Sequence, residues 1–359
     1  MNNIAEKFAD FYAPEVKIYI NGRKLSSLGI NVSEVKIEQI LDGADSFSFT
    51  VPQALDEEFN PRFPDIFQFG NKVEIYIGYR DRLFPAIIGI INSVSWVFTE
   101  GNYMDITVEG YDYLFLLMKK EKYKSWNNKK DSEVVKEILQ KYPFKRLNIE
   151  DTHIRHTHIR QEGETDFHFI KRLAKRNGFE YLVEGETFYF RPPAVDRKPA
   201  FSLTFGKELF SFNPQFNIVQ QVSEVQVIGW DPKSKKEIKG IAKKGDEDKV
   251  ERKGKTGADL IRSILKEEVV HQVRAPVYSI EEAERLAKSI LNELSYGLIK
   301  GECKSFGLPG LRPGQVIELK GLGKIFSRRY YVEKVTHEIG ENGYETDFSV
   351  RGNTYYGSI

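Results

Sequence analysis

The chain has 359 residues, enough for two or three domains with a well-buried core. Its 40% hydrophobic and 29% charged residues match a soluble globular protein, and 25 Phe with 18 Tyr favour strands over bundled helices. A net charge of +1 argues against a general nucleic-acid binder, and Cys303, the only cysteine, excludes an intramolecular disulfide and fits assembly in a reducing cytoplasm.

Met1 to Phe11 mixes charged and apolar residues, unlike a signal peptide. The longest apolar runs, Pro85–Ile91 and Tyr113–Met118, are too short to cross a bilayer, so no membrane insertion is expected. Release from the cell would then need lysis or a machine.

The first third alternates with period two. Val16, Ile18 and Ile20 alternate with Lys17 and Tyr19, and Asn21-Gly22 gives a hairpin-turn signal. Phe47/Phe49/Val51, Val73/Ile75/Ile77 and Met104/Ile106/Val108 repeat the pattern, each predicting a half-buried antiparallel strand. The middle changes character. Asp131 or Ser132 can cap a helix carrying Val134, Val135, Ile138 and Leu139, stopped by Pro143. A second helix is predicted from Asp166 to Asn177, with Thr165 as cap, Phe167, Ile170, Leu173 and Ala174 as buried stripe, and Gly178 as left-handed stop. A short hairpin, Glu180–Val183 and Thr187–Arg191, follows. The strand pattern returns at Val222–Trp230, and Lys233–Lys255 reads as a charged loop or hairpin excursion. Helices are predicted at Asp259–Glu268 and Ile280–Tyr296, the latter opened by Ser279 and Glu282. After Gly301 the chain reads as β to its end.

The closing segment echoes the first. Gly70-Asn71-Lys72-Val73 matches Gly314-Gln315-Val316-Ile317, and Val94–Gly110 matches Val335–Gly352 with one residue inserted, which sets Val108 with Val350 and Gly110 with Gly352. Val32-Ser33-Glu34-Val35 matches Val222-Ser223-Glu224-Val225. The matched pieces keep one order in both halves. The fold class expected is α+β, mainly β: two similar antiparallel β-barrels, at 1–112 and at 196–240 with 300–359, an α+β middle domain at 113–195, and a charged loop and helical insertion in the second barrel at 241–299. Gly70 and Gly314 would set equivalent strand starts.

Chemical motifs are sparse. His153, His156 and His158 form the best metal candidate, but no cysteine lies nearby and a solvated basic patch is the favoured reading, so no metal is expected. Gly254-Lys255-Thr256 mimics the end of a phosphate loop, yet Lys249 stands where the loop needs glycine. The carboxylates Glu162/Glu164 and Asp246/Glu247/Asp248 could serve glycoside hydrolysis only across a cleft, which no pattern supplies. No nucleophile elbow is present, so neither a catalytic residue nor a cofactor is expected.

Gln161-Glu162-Gly163-Glu164-Thr165-Asp166-Phe167-His168-Phe169-Ile170-Lys171-Arg172-Leu173-Ala174, followed by Gly178-Phe179-Glu180-Tyr181, resembles the late control D family of phage tail proteins, the baseplate hubs. The N-terminal part of type VI secretion spike proteins is similar. Gly229-Trp230-Asp231-Pro232, Pro309–Val316 and Val332–Phe348 with His337 resemble further family segments in family order. The resemblance implies two tail-tube-like barrels per chain and a homotrimer joining a trimeric spike to a hexameric tail tube, among other baseplate proteins. It implies no specific nucleic-acid recognition. Spike proteins continue past this region, so the spike is expected on a separate polypeptide. A tail-tip peptidoglycan hydrolase and a glycan-binding module are the rival readings.

Overall fold

The computed structural model describes residues 13–357 apart from positions 57, 59, 81, 100–102 and 232–233. The reading of Met1–Phe11 and the segment ends at Pro232 and Lys233 lie outside the described residues. Alternating residues produce a chain dominated by strands. The first segment holds β1 (Pro14–Ile20), β2 (Arg23–Lys24), β3 (Val35–Ile40), β4 (Ser46–Val51), β5 (Lys72–Tyr79), β6 (Arg82–Thr99) and β7 (Tyr103–Asp112). The middle segment holds α1 (Leu114–Leu117), β8 (Glu121–Lys130), α2 (Asp131–Leu139), β9 (Arg146–Ile149), β10 (Arg155–Thr165), α3 (Asp166–Asn177), β11 (Glu180–Glu184) and β12 (Thr187–Arg191). Next come β13 (Phe201–Thr204), β14 (Leu209–Phe216), β15 (Glu224–Asp231), β16 (Lys236–Lys243), β17 (Lys255–Thr256), α4 (Gly257–Leu265), β18 (Val270–Arg274) and α5 (Ile280–Ser295). The chain closes with β19 (Ile299–Phe306), β20 (Val316–Lys320), α6 (Gly323–Phe326), β21 (Arg329–Gly340), β22 (Gly343–Gly352) and β23 (Thr354–Tyr355).

One 13-stranded sheet runs through both ends of the chain, in the order β14-β19-β22-β21-β3-β4-β7-β6-β5-β1-β2, with β20 joining β13 to β21. The first segment contributes β3-β4-β7-β6-β5-β1 and the last contributes β14-β19-β22-β21-β20-β13. The two orders correspond strand for strand. Only the last pair differs in sense, since β1 and β5 are antiparallel whereas β13 and β20 are parallel. Neither half closes into a hydrogen-bonded barrel, contrary to the expectation from sequence. In the first half β3 spends its second edge on β21 of the other half instead of returning to β1, and in the second half β14 ends the sheet without reaching β13. One apolar core then serves both halves, from Ile18 and Phe49 through Ile299 and Val350.

The middle segment has its own core, in which Trp126, Ile138, Phe169, Ile170, Leu173 and Phe188 are buried. Helix α3 forms because both ends are set locally. The Thr165 hydroxyl accepts the His168 N–H at 3.3 Å, and Gly178 takes the left-handed conformation that ends the helix. Its buried face is Phe167, Phe169, Ile170, Leu173 and Ala174. Helix α2 begins at Asp131, so neither Asp131 nor Ser132 caps it; Glu133 instead reaches back to accept the Lys130 N–H at 2.9 Å.

Strands β15, β16 and β18 with helix α5 form a third unit rather than a strand of the second half followed by a loop. Strand β15 is flanked by β16 and β18 in a separate three-stranded sheet, and α5 packs across it through Ala283, Ala287 and Leu291. The echo of Val32–Val35 at Val222–Val225 is therefore fortuitous: the counterpart of β3 is β14. The Gly254-Lys255-Thr256 motif makes the short strand β17, and Thr256 caps α4 by accepting the Asp259 N–H at 3.3 Å.

Leu173 lies fully buried in the middle core. Leu173→Asp places an unpaired carboxylate there and is expected to cost roughly 4 kcal/mol or more. Circular dichroism melts should show loss of the middle unit's transition, whereas Lys171→Asp on the exposed face should leave it within about 0.5 kcal/mol.

Candidate assembly interface

The junction between the halves is an antiparallel ladder in which Lys334, Val335, Thr336, His337, Glu338 and Ile339 of β21 face Ile40, Gln39, Glu38, Ile37, Lys36 and Val35 of β3. Along the same side of β21, Arg329–Tyr331 pairs with β20. The ladder between β21 and β22 shifts register between Val332 and Lys334, so Glu333 bulges. On the polar face, Lys36–Glu338 (2.6 Å) and Lys334–Glu38 (2.7 Å) tie the two strands. On the core face, Val35 and Ile37 are buried.

Strand β6 repeats this design. Its ladder with β7 shifts register between Ile91 and Ser93, leaving Asn92 as the bulge. Gly70 donates its N–H to the Ile91 carbonyl at 2.8 Å, and Gly314 donates to the Val332 carbonyl at 2.9 Å. In return Ile91 donates to the Asn71 carbonyl (3.0 Å) and Val332 to the Gln315 carbonyl (2.9 Å). Both glycines have positive φ, +83° and +77°, the region in which a side chain strains the backbone. Val73 faces Gly89, and Ile317 faces Tyr330, so Val73 and Ile317 are equivalent. Val108 faces Val94 and Phe348 faces Val335. Val108 thus corresponds to Phe348 and Gly110 to Val350, two residues from the register aligned in sequence. A β-strand alignment slipped by two keeps every side chain on its own face, which is why the sequence pattern tolerates the slip.

The middle segment is bolted to this junction. The buried Glu180 pairs with Arg191 at 3.2 Å, accepts the Tyr331 hydroxyl of β21 at 2.7 Å, and its carboxyl is pushed up to about 7 by burial, against the pull of Arg191. Arg191 also donates to the Gly314 carbonyl at 3.3 Å. A Cβ on Gly314 would stand 3.0 Å from the Arg191 guanidinium, whereas one on Gly70 would meet open space.

The three histidines do not converge. His153 is exposed beside Asp151, and His158 shares a 2.7 Å contact with Asn127. His156 is buried, with Nδ1 3.0 Å from Glu282 of α5 and Nε2 3.5 Å from Asp131 of α2. Arg176 and Asn177 complete the cluster on Asp131. Burial works to lower the His156 pKa, but hydrogen bonds from its ring to the Asp131 and Glu282 carboxylates outweigh it and hold it above the ordinary value. Asp131 and Glu282, which burial would raise, are held below theirs by His156 and Arg176. The cluster joins the third unit to the middle one, alongside a 2.5 Å bond from the Ser289 hydroxyl to the Lys175 carbonyl. Among the described residues no group of His, Cys, Asp or Glu is placed to hold a metal ion.

The carboxylates weighed for hydrolysis have structural partners. Glu164 pairs with Arg172 at 2.6 Å, Glu162 lies 3.5 Å from Arg160, and Asp246 accepts the Lys243 N–H at 2.8 Å. Glu247 accepts the Gly245 N–H at 2.6 Å, and Asp248 pairs with Lys288 at 3.0 Å. Cys303 is buried, and burial raises its thiol pKa well above the ordinary value. No helix of the described residues is long and apolar enough to cross a membrane.

The family model for the Alg8 N-terminal domain matches residues 12–341. The chain belongs to the Alg8 N-terminal domain family. No curated protein matches it by sequence. Among solved structures it is similar to a tail protein from Neisseria meningitidis MC58, at 15% identity and TM-score 0.71 over 95% of this chain and 97% of that one. It is similar to the 43 kDa tail protein of prophage MuSo2 from Shewanella oneidensis, at 14% identity and TM-score 0.71 over 94% and 98%. A third is the E. coli c3393 protein, a type VI secretion system component described as structurally similar to the T4 tail proteins gp27 and gp5. It matches at 14% identity and TM-score 0.56 over 96% and 79%. The fold of this family member is thus a tail-protein fold.

Gly70→Ala is expected to cost about 1 kcal/mol from the left-handed backbone alone. Gly314→Ala adds the displacement of a buried ion pair and should lower the urea midpoint roughly twice as much or more. Equal shifts would show that Arg191 yields freely. The His156 cluster makes the docking of α5 pH-dependent. A histidine whose folded pKa is raised contributes fully below about 6.5 and loses that contribution as pH rises through the folded value. Asp131 and Glu282, whose folded values are depressed, lose theirs as pH falls through those values. Hydrogen exchange in α5, corrected for intrinsic rates, is expected to speed up relative to α3 as the pH rises past the raised pKa of His156, above the ordinary histidine value, and His156→Gln should remove that trend. A flat wild-type profile would contradict it.

Proposed function

We propose that the protein is a structural baseplate hub of a contractile, tail-like injection machine, belonging to a phage or to a phage-tail-like bacteriocin. In this reading it is late control D-like and non-enzymatic, uses no cofactor, and assembles as a homotrimer. It carries a trimeric spike on one side and a hexameric tail tube on the other, with other baseplate proteins around it. Assembly takes place in the bacterial cytoplasm, and the mature protein sits in the baseplate and leaves the cell on lysis.

One observation carries this reading. A single chain folds the same order of six strands twice and joins the two copies edge to edge through β3 and β21. Closed assemblies pair like surfaces, so three subunits match a sixfold partner only if each offers two near-equivalent surfaces. The tail proteins of similar fold, and the type VI component among them, support the same setting. Residues Thr165, Phe167, Ile170, Leu173 and Gly178 hold the middle helix in place, and Gly70 and Gly314 set the matching strand starts; their roles are architectural.

Sedimentation velocity of the purified chain, alone and with its spike, tests the stoichiometry. The expected species contains three copies. A stable dimer or tetramer in both preparations would remove the symmetry on which the reading rests.

A further inference from the structure

If the two halves are equivalent, each strand edge used inside the chain has a counterpart elsewhere. The junction uses the outer edge of β3 and the stretch of β21 beyond its bulge. Their counterparts are the outer edge of β14 and the stretch of β6 beyond Asn92. Among the described residues both are open: Ser93–Thr99 pairs only with β7, and β14, apart from an isolated bridge between its first residue Leu209 and Phe205, pairs only with β19.

The open stretch of β6 carries an uncovered apolar surface. Val94, Trp96 and Phe98 lie on the core side, opposite Val108, Ile106 and Met104, which are buried. Yet Trp96 is 49% and Phe98 69% exposed, and nearby Phe69 is 70% exposed. A groove of 310 Å³ lies here, lined by Phe63, Phe67, Phe69, Val94, Trp96 and Ile106. In the second half the same position is filled: His337, the counterpart of Trp96, is buried beneath Ile37 of β3. The β14 edge is apolar as well, with Phe210 50% and Val219 85% exposed beside it. An open edge beside exposed aromatic residues is a template for another strand.

The geometry points to a second copy of this chain as the occupant: β14 of one copy adds to β6 of the next as an antiparallel strand. This rests on the trimeric-hub reading and gives it a contact. The register follows from the internal ladders. Phe212 corresponds to Val35, since both face the strand position opposite Phe348 and Val108 through Cys303 and Phe49. Transferring the β3–β21 pairing then sets Trp96 against Pro214, Val94 against Phe216 and Phe98 against Phe212 on the core side. On the polar side it sets Ser93 against Asn217, Ser95 against Gln215 and Val97 against Asn213.

Pro214 bears on the strength of this contact. The Asn217 N–H points inward, to the Leu298 carbonyl at 2.9 Å, so alternation turns the backbone nitrogens of Phe212, Pro214 and Phe216 outward. Proline supplies no donor, so the ladder between copies has one hydrogen bond fewer than the ladder within. The ladder between copies also has Ser93, Val97, Asn213 and Gln215 where the internal junction has its paired Lys and Glu residues. The contact between copies is therefore weaker than the internal one and less sensitive to salt.

Ser95 and Gln215 would form a non-hydrogen-bonded pair, with the short Cα separation a disulfide requires. The full-length double variant Ser95→Cys with Gln215→Cys tests the contact, with Ser93→Cys/Asn217→Cys as a second pair and circular dichroism as the fold control. Under mild oxidation each pair is expected to give a linked trimer as the main species on non-reducing gels, and each single variant none. Sedimentation of the same samples separates the two levels. A threefold species without cross-links from either folded pair overturns this strand pairing and leaves the hub reading standing. Cross-links that stop at a dimer, or a protein that stays monomeric and unlinked, overturn the pairing as well.

Discussion

The ladder between β3 and β21 is the constraint on which the rest of the fold depends. A strand edge is a row of unpaired donors and acceptors, and it must be paired, covered or blunted. By pairing β3 outward, the chain gives up closure of the first half and gains a sheet that continues from one repeat into the next. The bulges at Asn92 and Glu333 make this possible. Each bends its strand so that the near part pairs with β5 or β20 and the far part stands clear for a different strand. In β21 that far part is filled from within the chain.

The other two units are arranged to stiffen this junction. Glu180 and Arg191, from a hairpin of the middle segment, are buried against Tyr331 and the Gly314 carbonyl, next to the β20–β21 pair. A buried ion pair of this kind adds little net stability, but losing one partner is costly, so it fixes position more than it adds cohesion. The His156 cluster does the same between the middle segment and α5. Both contacts are polar and buried, and both join units that are distant in sequence. They act as locating pins between pieces whose apolar cores are separate.

How much was legible in the sequence depended on how local the determinant is. Helix α3 could be read nearly to the residue, because Thr165, its buried stripe and Gly178 all lie within or beside it. The pairing of Gly70 with Gly314 was legible because a positive-φ turn before an alternating strand leaves a residue-type trace. Strand β14 does not show in sequence as the counterpart of β3, because Pro214 and a register shift near Leu209 disguise its alternation. The third unit reads in sequence as a barrel strand and an insertion, since its parallel partner β18 is five residues long and carries little periodic signal. His156 could not be told from His153 and His158, because burial is decided by Asp131 and by Glu282, which arrives from another unit.

The polar face of the long sheet shows why the duplication had to remain imperfect. Across the internal junction its side chains are oppositely charged and paired, Lys36 with Glu338 and Lys334 with Glu38. At the two open edges the corresponding positions are Ser93, Ser95 and Val97 on one side and Asn213, Gln215 and Asn217 on the other. If both junctions carried the same charges, the open edge of β14 would be attracted to the β21 of another molecule as strongly as to its β6. Because the internal junction forms within one chain at high effective concentration, it is filled first, and its charges are then satisfied. The neutral edges that remain have only each other's shape and backbone to recognise. Under the strand pairing proposed between copies, divergence between the repeats is what would let one kind of edge serve the chain and the other its neighbours.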